Sequence, residues 1–493
     1  MKLGFRIYVV LTSICVATVA NGQNLMPGQT LEGKRPNILL LIGDDMGNET
    51  LSCYGWSENP AKTPTLDDLC ASGVRFDNFW SQPICSPTRA TMLTGRYGFR
   101  TGVGRPTGDR ETMGYFPDPP PKPASAPAEP GRGQGGRPNR ENAPQDWGLP
   151  MTEFALPMAF KVNQDLGYAT AAIGKWHLAD NRNGWQDHPN LVGFDHFAGL
   201  IRGFPDSFFT WNQVVNGELT GQTGYTPDVK TRDAIEWIEQ QGDKPWFLWM
   251  AYNLIHTPLH LPSEDLWRGD WSDVDPQTNP RSDGLAYGNM LLEALDVQIE
   301  RLLDSMPDDV RDNTYVIFLG DNGSSRGSVR PPVAPNKAKG SLYQGGVNVP
   351  LMIAGPGVKP GVSKALVNST DLYATIMEMA GIDVAHTVPQ HVPTDSVSVM
   401  PYLENPDAES IRDFAYADVF AGNHAGVEAG DYAIRGEQYK LYRRRGNFEF
   451  YDLAADPFEE NNLMQSELDT EAQSAHDWLL ARATELRASG VTQ

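Results

Sequence analysis

Pro36-Asn37-Ile38-Leu39-Leu40-Leu41-Ile42-Gly43-Asp44-Asp45 is the stretch on which the fold turns. From Ile38 to Ile42 the apolar row is unbroken, without the polar alternation of a half-solvated strand. It therefore reads as a strand buried on both faces of an α/β sheet. The row stops at Gly43 and leaves two carboxylates at the strand's carboxyl end, the edge where open α/β sheets bind ligands. Similar runs recur at Trp246 to Met250, Tyr315 to Leu319 and Leu351 to Ala354, and the second of these ends in Gly320-Asp321-Asn322-Gly323. Between them lie helical patterns. Asp228 to Gln240 has Ile235 and Ile238 three apart, and Leu285 to Leu303 sets Leu291, Leu295 and Leu302 on one side. This alternation predicts an α/β fold, a large mixed and mainly parallel sheet flanked by helices.

The texture changes twice along the chain. Within 104–150, the stretch Asp118 to Gly136 is dominated by Pro, Gly and Ala and holds almost nothing that could form a core, so a mobile surface insertion is expected there. Beyond about residue 385, short alternating segments at Asp431 to Arg435, Tyr439 to Arg443 and Phe448 to Tyr451 are separated by Gly-containing turns. They predict a smaller C-terminal antiparallel-sheet subdomain, with a last helix from about Ser466 to Arg487 packed on it. The expected division is a leader at 1–22, a large N-terminal α/β domain at 23–384 and the C-terminal subdomain at 385–493.

Lys2 and Arg6 precede an apolar run from Ile7 to Ala20 that is too short to span a bilayer and ends near the small residues Ala20 and Gly22. That is the pattern of a cleaved secretory leader, and no later stretch is apolar for long enough to cross a membrane. A secreted or periplasmic product is expected. The 493 residues are 40% hydrophobic, enough for a large core, which excludes collagen-like, coiled-coil and disordered classes. A net charge of −22 excludes nucleic acid as a natural partner. An anionic small substrate would need a local cluster of cations. Outside the leader there are three cysteines, an odd number for an exported chain; Cys53 and Cys70 could pair, and one cysteine is left with chemistry of its own.

Cys85-Ser86-Pro87-Thr88-Arg89 combines a good N-cap, Ser86, with a good first helical residue, Pro87, and the pattern runs through Met92 and Leu93 to a stop at Gly95. Cys85 would then lie at the positive end of a helix, where an anion is favoured and a nucleophile is activated. Alone, the pattern could equally be a structural cysteine before a capped helix.

The pattern is not alone. C-x-P-x-R followed by Leu93-Thr94-Gly95-Arg96 resembles the signature of the formylglycine-dependent sulfatase family, of alkaline phosphatase-like fold. Further matches follow in the family's order: Pro36-Asn37-Ile38 leading to Asp44-Asp45, Gly174-Lys175-Trp176-His177, His256-Thr257-Pro258, Gly320-Asp321-Asn322-Gly323 and Lys339-Gly340. Tyr451-Asp452-Leu453, Asp456-Pro457 and Asn462-Leu463 resemble its C-terminal signature. The resemblance implies that Cys85 is converted to formylglycine by a maturation enzyme. It also implies one calcium ion held by Asp44, Asp45, Asp321, Asn322 and the modified Cys85. The three aspartates and Asn322 offer only oxygen donors, a set that suits a hard cation and would be poor for zinc. By the same resemblance, Arg89 orients the formylglycine, Lys175 and Lys339 neutralise sulfate oxygens, His256 protonates the leaving group and His177 takes the proton that releases sulfate. Export, an acidic surface and twelve tryptophans suit a sulfated carbohydrate as the substrate, with His260, Arg105, Arg202 and His424 as candidate subsite residues. His177, two residues beyond Lys175 at a strand end, is expected on the same face as that lysine.

Three departures stand out. Family members often carry Glu-Gly-Gly-x-Arg-Val-Pro where this chain has Gln344-Gly345-Gly346-Val347-Asn348-Val349-Pro350, so a charge pair is missing or replaced by an amide pair. Lys337 competes with Lys339 for the sulfate role, and the insertion has no family counterpart. Two other functions share the pattern: a phosphate or phosphonate ester hydrolase, and a noncatalytic binder of sulfated glycans in which Cys85 stays a thiol.

Overall fold

The computed structural model describes residues 34–107, 147–275, 279–280, 282–424 and 426–490, so the expected leader and most of the Pro/Gly-rich insertion lie outside them. The opening run forms β1 (Asn37–Gly43), followed by β2 (Val74–Phe76), β3 (Phe79–Trp80), β4 (Ala169–Lys175) and β5 (His196–Leu200). Next come β6 (Thr210–Val215), β7 (Glu218–Thr223), β8 (Trp246–Ala251), β9 (Thr314–Gly320), β10 (Leu351–Ala354), β11 (Gly361–Ser363) and β12 (Val367–Asn368). The last four strands are β13 (Ala415–Val419), β14 (Asp431–Arg435), β15 (Tyr439–Arg444) and β16 (Asn447–Asp452).

Ten of these strands form one sheet in the order β11-β2-β10-β9-β1-β8-β4-β5-β6-β7. From β9 to β5 every pairing is parallel, while β10, β6 and β7 run antiparallel to their neighbours at the flanks. β1 lies at the centre. Ile38, Leu40 and Ile42 enter the apolar cluster on one face, and Leu39 and Leu41 enter the cluster on the other. Each fully buried side chain of this kind contributes roughly 1.5–3 kcal/mol, so a polar substitution anywhere in the row would be felt. The helices Thr226–Gln241 and Gly284–Asp304 cover one face with Trp237, Ile238, Leu291, Leu295 and Leu302. Cys85–Thr94 and Asp371–Met379 cover the other with Ala90, Met92, Leu93, Leu372 and Ile376.

The β6–β7 hairpin is not among the sequence expectations, although its signal was present. Asn216 and Gly217, at φ 47° and 86°, make the two-residue Asn-Gly turn that matches the twist of a hairpin.

The C-terminal region forms a separate four-stranded antiparallel sheet, β13-β14-β15-β16. β13 is an addition to the three strands read from the sequence. One face of the sheet packs on Trp80, Leu342, Tyr343 and Val347 of the large sheet's surroundings, and the other is covered by the Thr470–Ala488 helix through Ala472, Leu479 and Ala483. Cys53 and Cys70 are joined as a disulfide, and Cys85 is the free, buried thiol. Among the described residues no helix is long and apolar enough to cross a membrane.

Candidate active site

β1 and β9 are adjacent and parallel, with Gly43 opposite Gly320, so the residues that follow each strand emerge side by side. Asp321 N donates to Gly43 O at 3.0 Å and Asp45 N donates to Asp321 Oδ1 at 3.2 Å, which locks the two strand ends together. Asp44, Asp45, Asp321 and Asn322 are all buried there. Asp45 sits at φ 68°, a left-handed position that turns its carboxylate out of the strand direction. Asn322 Nδ2 donates to Asp45 Oδ1 at 2.9 Å, while Asn322 Oδ1 is buried with no hydrogen-bond partner among the described residues.

Each carboxylate faces one cation. Lys175 Nζ lies 2.7 Å from Asp44 Oδ2, Lys339 Nζ pairs with Asp45 Oδ1, and Arg89 grips Asp321 Oδ2 through Nε at 3.2 Å and Nη2 at 2.8 Å. Arg89 Nη1 also donates to Lys175 O at 2.8 Å, tying the helix to the end of β4. Burial lifts the Asp44 carboxyl to about 7 against the pull of Lys175. Burial would raise Asp45 too, but Lys339 and His256 hold it well below the carboxylate range. A set of crowded, desolvated acids with an orphaned amide oxygen is what a hard divalent cation would satisfy, and the oxygen donors fit it.

Cys85 stands at the first residue of the Cys85–Thr94 helix, with Sγ 3.6 Å from both Asp44 Oδ1 and Lys339 Nζ. Burial pushes its thiol up to about 12, outweighing Lys175 and Lys339, so an unmodified Cys85 is protonated at neutral pH. One donor atom each from Asp44, Asp45, Cys85 and His256 lies within 4.8 Å of the others. His256 Nδ1 donates to Thr257 O at 2.7 Å, and the imidazole stacks on Phe204 with centroids 5.4 Å apart. Burial, then Lys339, pushes its imidazolium down to about 3. His177 is buried and held neutral by burial, Lys175 and Arg89, and its Nδ1 has no partner among the described residues.

Two local expectations change. Ser86 is not the helix cap: the helix begins at Cys85 after Ile84 without a side-chain cap, and Ser86 Oγ donates to His177 O at 2.7 Å. The hydroxyl is worth more as a tether of the histidine segment, where Thr107 Oγ1 also donates to His177 O at 2.5 Å. His177 does not continue β4 either. The strand ends at Lys175 and His177 takes φ 62°, so its direction comes from a left-handed kink rather than strand alternation.

Lys337 is committed elsewhere. Its Nζ donates to Phe458 O at 3.0 Å and Glu459 O at 2.8 Å, leaving Lys339 as the lysine beside Cys85. Gln344 and Asn348 hold separate partners: Gln344 Oε1 accepts from Trp80 Nε1 at 3.3 Å and Gln344 N donates to Glu459 Oε2 at 2.6 Å, while Asn348 Nδ2 donates to Asp77 O at 3.1 Å. His260 donates from Nδ1 to Pro258 O at 2.9 Å, accepts from Tyr225 Oη at Nε2 and stacks on Phe208, which makes it a packing residue. His424 is engaged with Gly148 O and Arg202 with Asp206, whereas the Arg105 side chain is exposed.

His188 was missed by the sequence reading. Trp176 Nε1 donates to His188 Nδ1 at 2.9 Å, so the ring proton sits on Nε2 and is donated to Leu149 O at 3.0 Å. This pins the residue between Lys175 and His177. Burial lowers the His188 imidazolium from its ordinary 6.5 to about 4. The unfolded ring takes up a proton that the folded ring refuses across that window. The stability is complete above pH 6.5 and lost as pH falls to 4, by up to about 3 kcal/mol. The Tm of a His188→Gln variant is expected to fall less steeply than the wild-type Tm between pH 7 and 4; parallel curves would contradict this role.

A family model described as "Sulfatase" matches residues 36–382, and one described as "N-sulphoglucosamine sulphohydrolase, C-terminal" matches residues 338–487. An arylsulfatase of Hemicentrotus pulcherrimus is 28% identical over 77% of this chain and 61% of its own length. The N-acetylgalactosamine-6-sulfatase of Homo sapiens is 30% identical over 75% of this chain and 66% of its own. The match thus spans just under two thirds of these relatives. Among solved structures, Ps i-CgsB superposes with a TM-score of 0.68 at 24% identity, covering 90% of this chain and 92% of that one, so the architecture is shared. With the first model spanning well over half its length, the chain belongs to the sulfatase family.

Proposed function

We propose that this protein is an exported sulfuric ester hydrolase, secreted or periplasmic, that removes sulfate from a sulfated carbohydrate. Residues 23–384 would form its catalytic domain and 385–493 its C-terminal subdomain. The observation that carries the reading is Cys85 Sγ lying 3.6 Å from both Asp44 Oδ1 and Lys339 Nζ at the start of a helix. A maturation enzyme would oxidise Cys85 to formylglycine, which supplies a hydrated aldehyde as the nucleophile toward sulfur. Asp44, Asp45, Asp321 and Asn322, with the modified Cys85, would hold calcium, which supplies Lewis-acid polarisation at that nucleophile.

The remaining work falls to the chain's own side chains. Lys175 and Lys339 offer ammonium donors to sulfate oxygens, and Arg89 holds the helix end against β4 so that residue 85 faces them. His256 protonates the departing oxygen. Burial and then Lys339 depress His256, and an arriving sulfate brings negative charge that works against both and raises its hold on a proton. That protonation is worth about 10² to 10⁴ for a poor leaving group such as a sugar alkoxide. His177, kept neutral, accepts the proton from the second hydroxyl at residue 85 as sulfate leaves.

The name of the human relative, N-acetylgalactosamine-6-sulfatase, favours a sugar sulfate as substrate. The test is sulfate release from a panel of defined sulfated saccharides, run beside matched phosphate esters. Release from at least one saccharide with about a hundredfold preference for sulfate is expected, and a preference for phosphate would overturn the reading.

A further inference from the structure

Lys230 is a fully buried lysine near the N-terminal end of the Thr226–Gln241 helix, and it forms no ion pair among the described residues. Its Nζ donates to Asn253 Oδ1 and lies 5.8 Å over the Trp211 ring. Leaving an ammonium inside a protein without a carboxylate costs several kcal/mol, so an apolar residue would serve this helix better unless the amine has a task.

Its partner shows what the task is. Asn253 is itself buried, and its Nδ2 donates to Gly203 O at 3.2 Å, while its own carbonyl accepts from His256 N at 2.9 Å. Gly203 packs against the His177 ring: a Cβ there would come within 2.5 Å of His177 Cε1, so any larger residue would push the imidazole aside. The next residue, Phe204, is the ring stacked on His256. The same segment begins where His177 N donates to Ile201 O at 3.0 Å. One loop therefore touches both imidazoles, and Asn253 is the side chain that ties it to the strand-end segment carrying His256.

We propose that Lys230 is a positioning residue that acts through Asn253 to hold the Ile201–Asp206 loop against His177 and His256, setting the two rings for proton transfer. The amine fixes the Asn253 amide so that Oδ1 faces Lys230 and Nδ2 faces Gly203. Burial also pushes the Lys230 ammonium well below its usual range. A neutral amine keeps the donated hydrogen bond, so the arrangement survives in either protonation state. The inference rests on the sulfatase reading for what the rings do, but the placement of the rings can be tested separately.

The first test is spectroscopic. In protein carrying ¹⁵N-imidazole label, Lys230→Met, which keeps the side-chain length, and Asn253→Ala are expected to shift the His177 and His256 signals and leave that of His188 unchanged. Unmoved His177 and His256 signals in both variants overturn the proposal whatever the substrate proves to be. The second test is kinetic and uses matured enzyme. Lys230→Met should lower kcat on a sugar sulfate at least tenfold more than on 4-nitrophenyl sulfate, with KM within twofold, because the acidic phenol leaves without a general acid. An equal fall on both esters that tracks a fall in Tm would mark Lys230 as structural only and overturn the proposal. Hydrolysis of neither ester by formylglycine-bearing wild type, with the imidazole shifts present, would overturn the sulfatase reading and leave the positioning role standing.

Discussion

A Cys85→Ala variant is expected to lose about 10⁵-fold or more in kcat on any sulfate ester, the scale seen when an enzyme's covalent nucleophile is removed. The side chain itself adds little to stability, since alanine keeps Cβ and the helix start. The loss should therefore appear in kcat at nearly unchanged Tm. Unmodified enzyme should be almost as inactive, because burial holds the thiol near 12 and leaves almost no thiolate at neutral pH. Mass analysis of the tryptic peptide Phe76 to Arg89 separates the two states, the aldehyde being lighter than the thiol. Activity should scale with the aldehyde fraction. Activity within tenfold of wild type in Cys85→Ala would remove residue 85 from the reaction.

Asp45→Asn is expected to lose the bound divalent cation and about 10³-fold in kcat, the second largest effect. Asp45 is nearly isosteric with asparagine, so the change removes a charge without opening a cavity. Its Oδ1 accepts from Asn322 Nδ2 and faces Lys339, and its carboxyl is held ionised by that lysine. A neutral amide in that place leaves Lys339 to repel any incoming cation. Lewis-acid stabilisation is worth several kcal/mol at a reacting oxygen, which sets the scale of the kinetic loss. Two measurements check it together. Metal analysis should find the variant largely empty at metal concentrations that fill the wild type, and added calcium should raise the wild-type Tm by mass action while leaving the variant's unchanged. A variant that binds metal normally and keeps kcat within tenfold would show that Asp45 is not a ligand.

The architecture was legible because burial leaves a local trace. A strand covered on both faces is written as an uninterrupted apolar run, and Ile38 to Ile42 divides cleanly between the two clusters that the run implies. The acids of the site were legible for a related reason: Gly43 and Gly320 end two such runs, and carboxylates placed directly after buried strands have nowhere to go but the sheet edge. The Asn216-Gly217 hairpin shows a signal present and not used.

By itself, then, the sequence determined the class of sheet, the edge at which chemistry gathers and the set of residues available there, since each of these depends on neighbours within a few positions along the chain. The tertiary structure alone decided who meets whom. Lys339 reaches Asp45 while Lys337 is spent on the Phe458–Glu459 carbonyls, Ser86 tethers His177 instead of capping its helix, and a buried lysine on one helix steadies two imidazoles through Asn253. Such choices turn on ångström-scale contacts between residues scores to hundreds of positions apart, set by strand register and left-handed turns such as those at Asp45 and His177. No local periodicity carries that information.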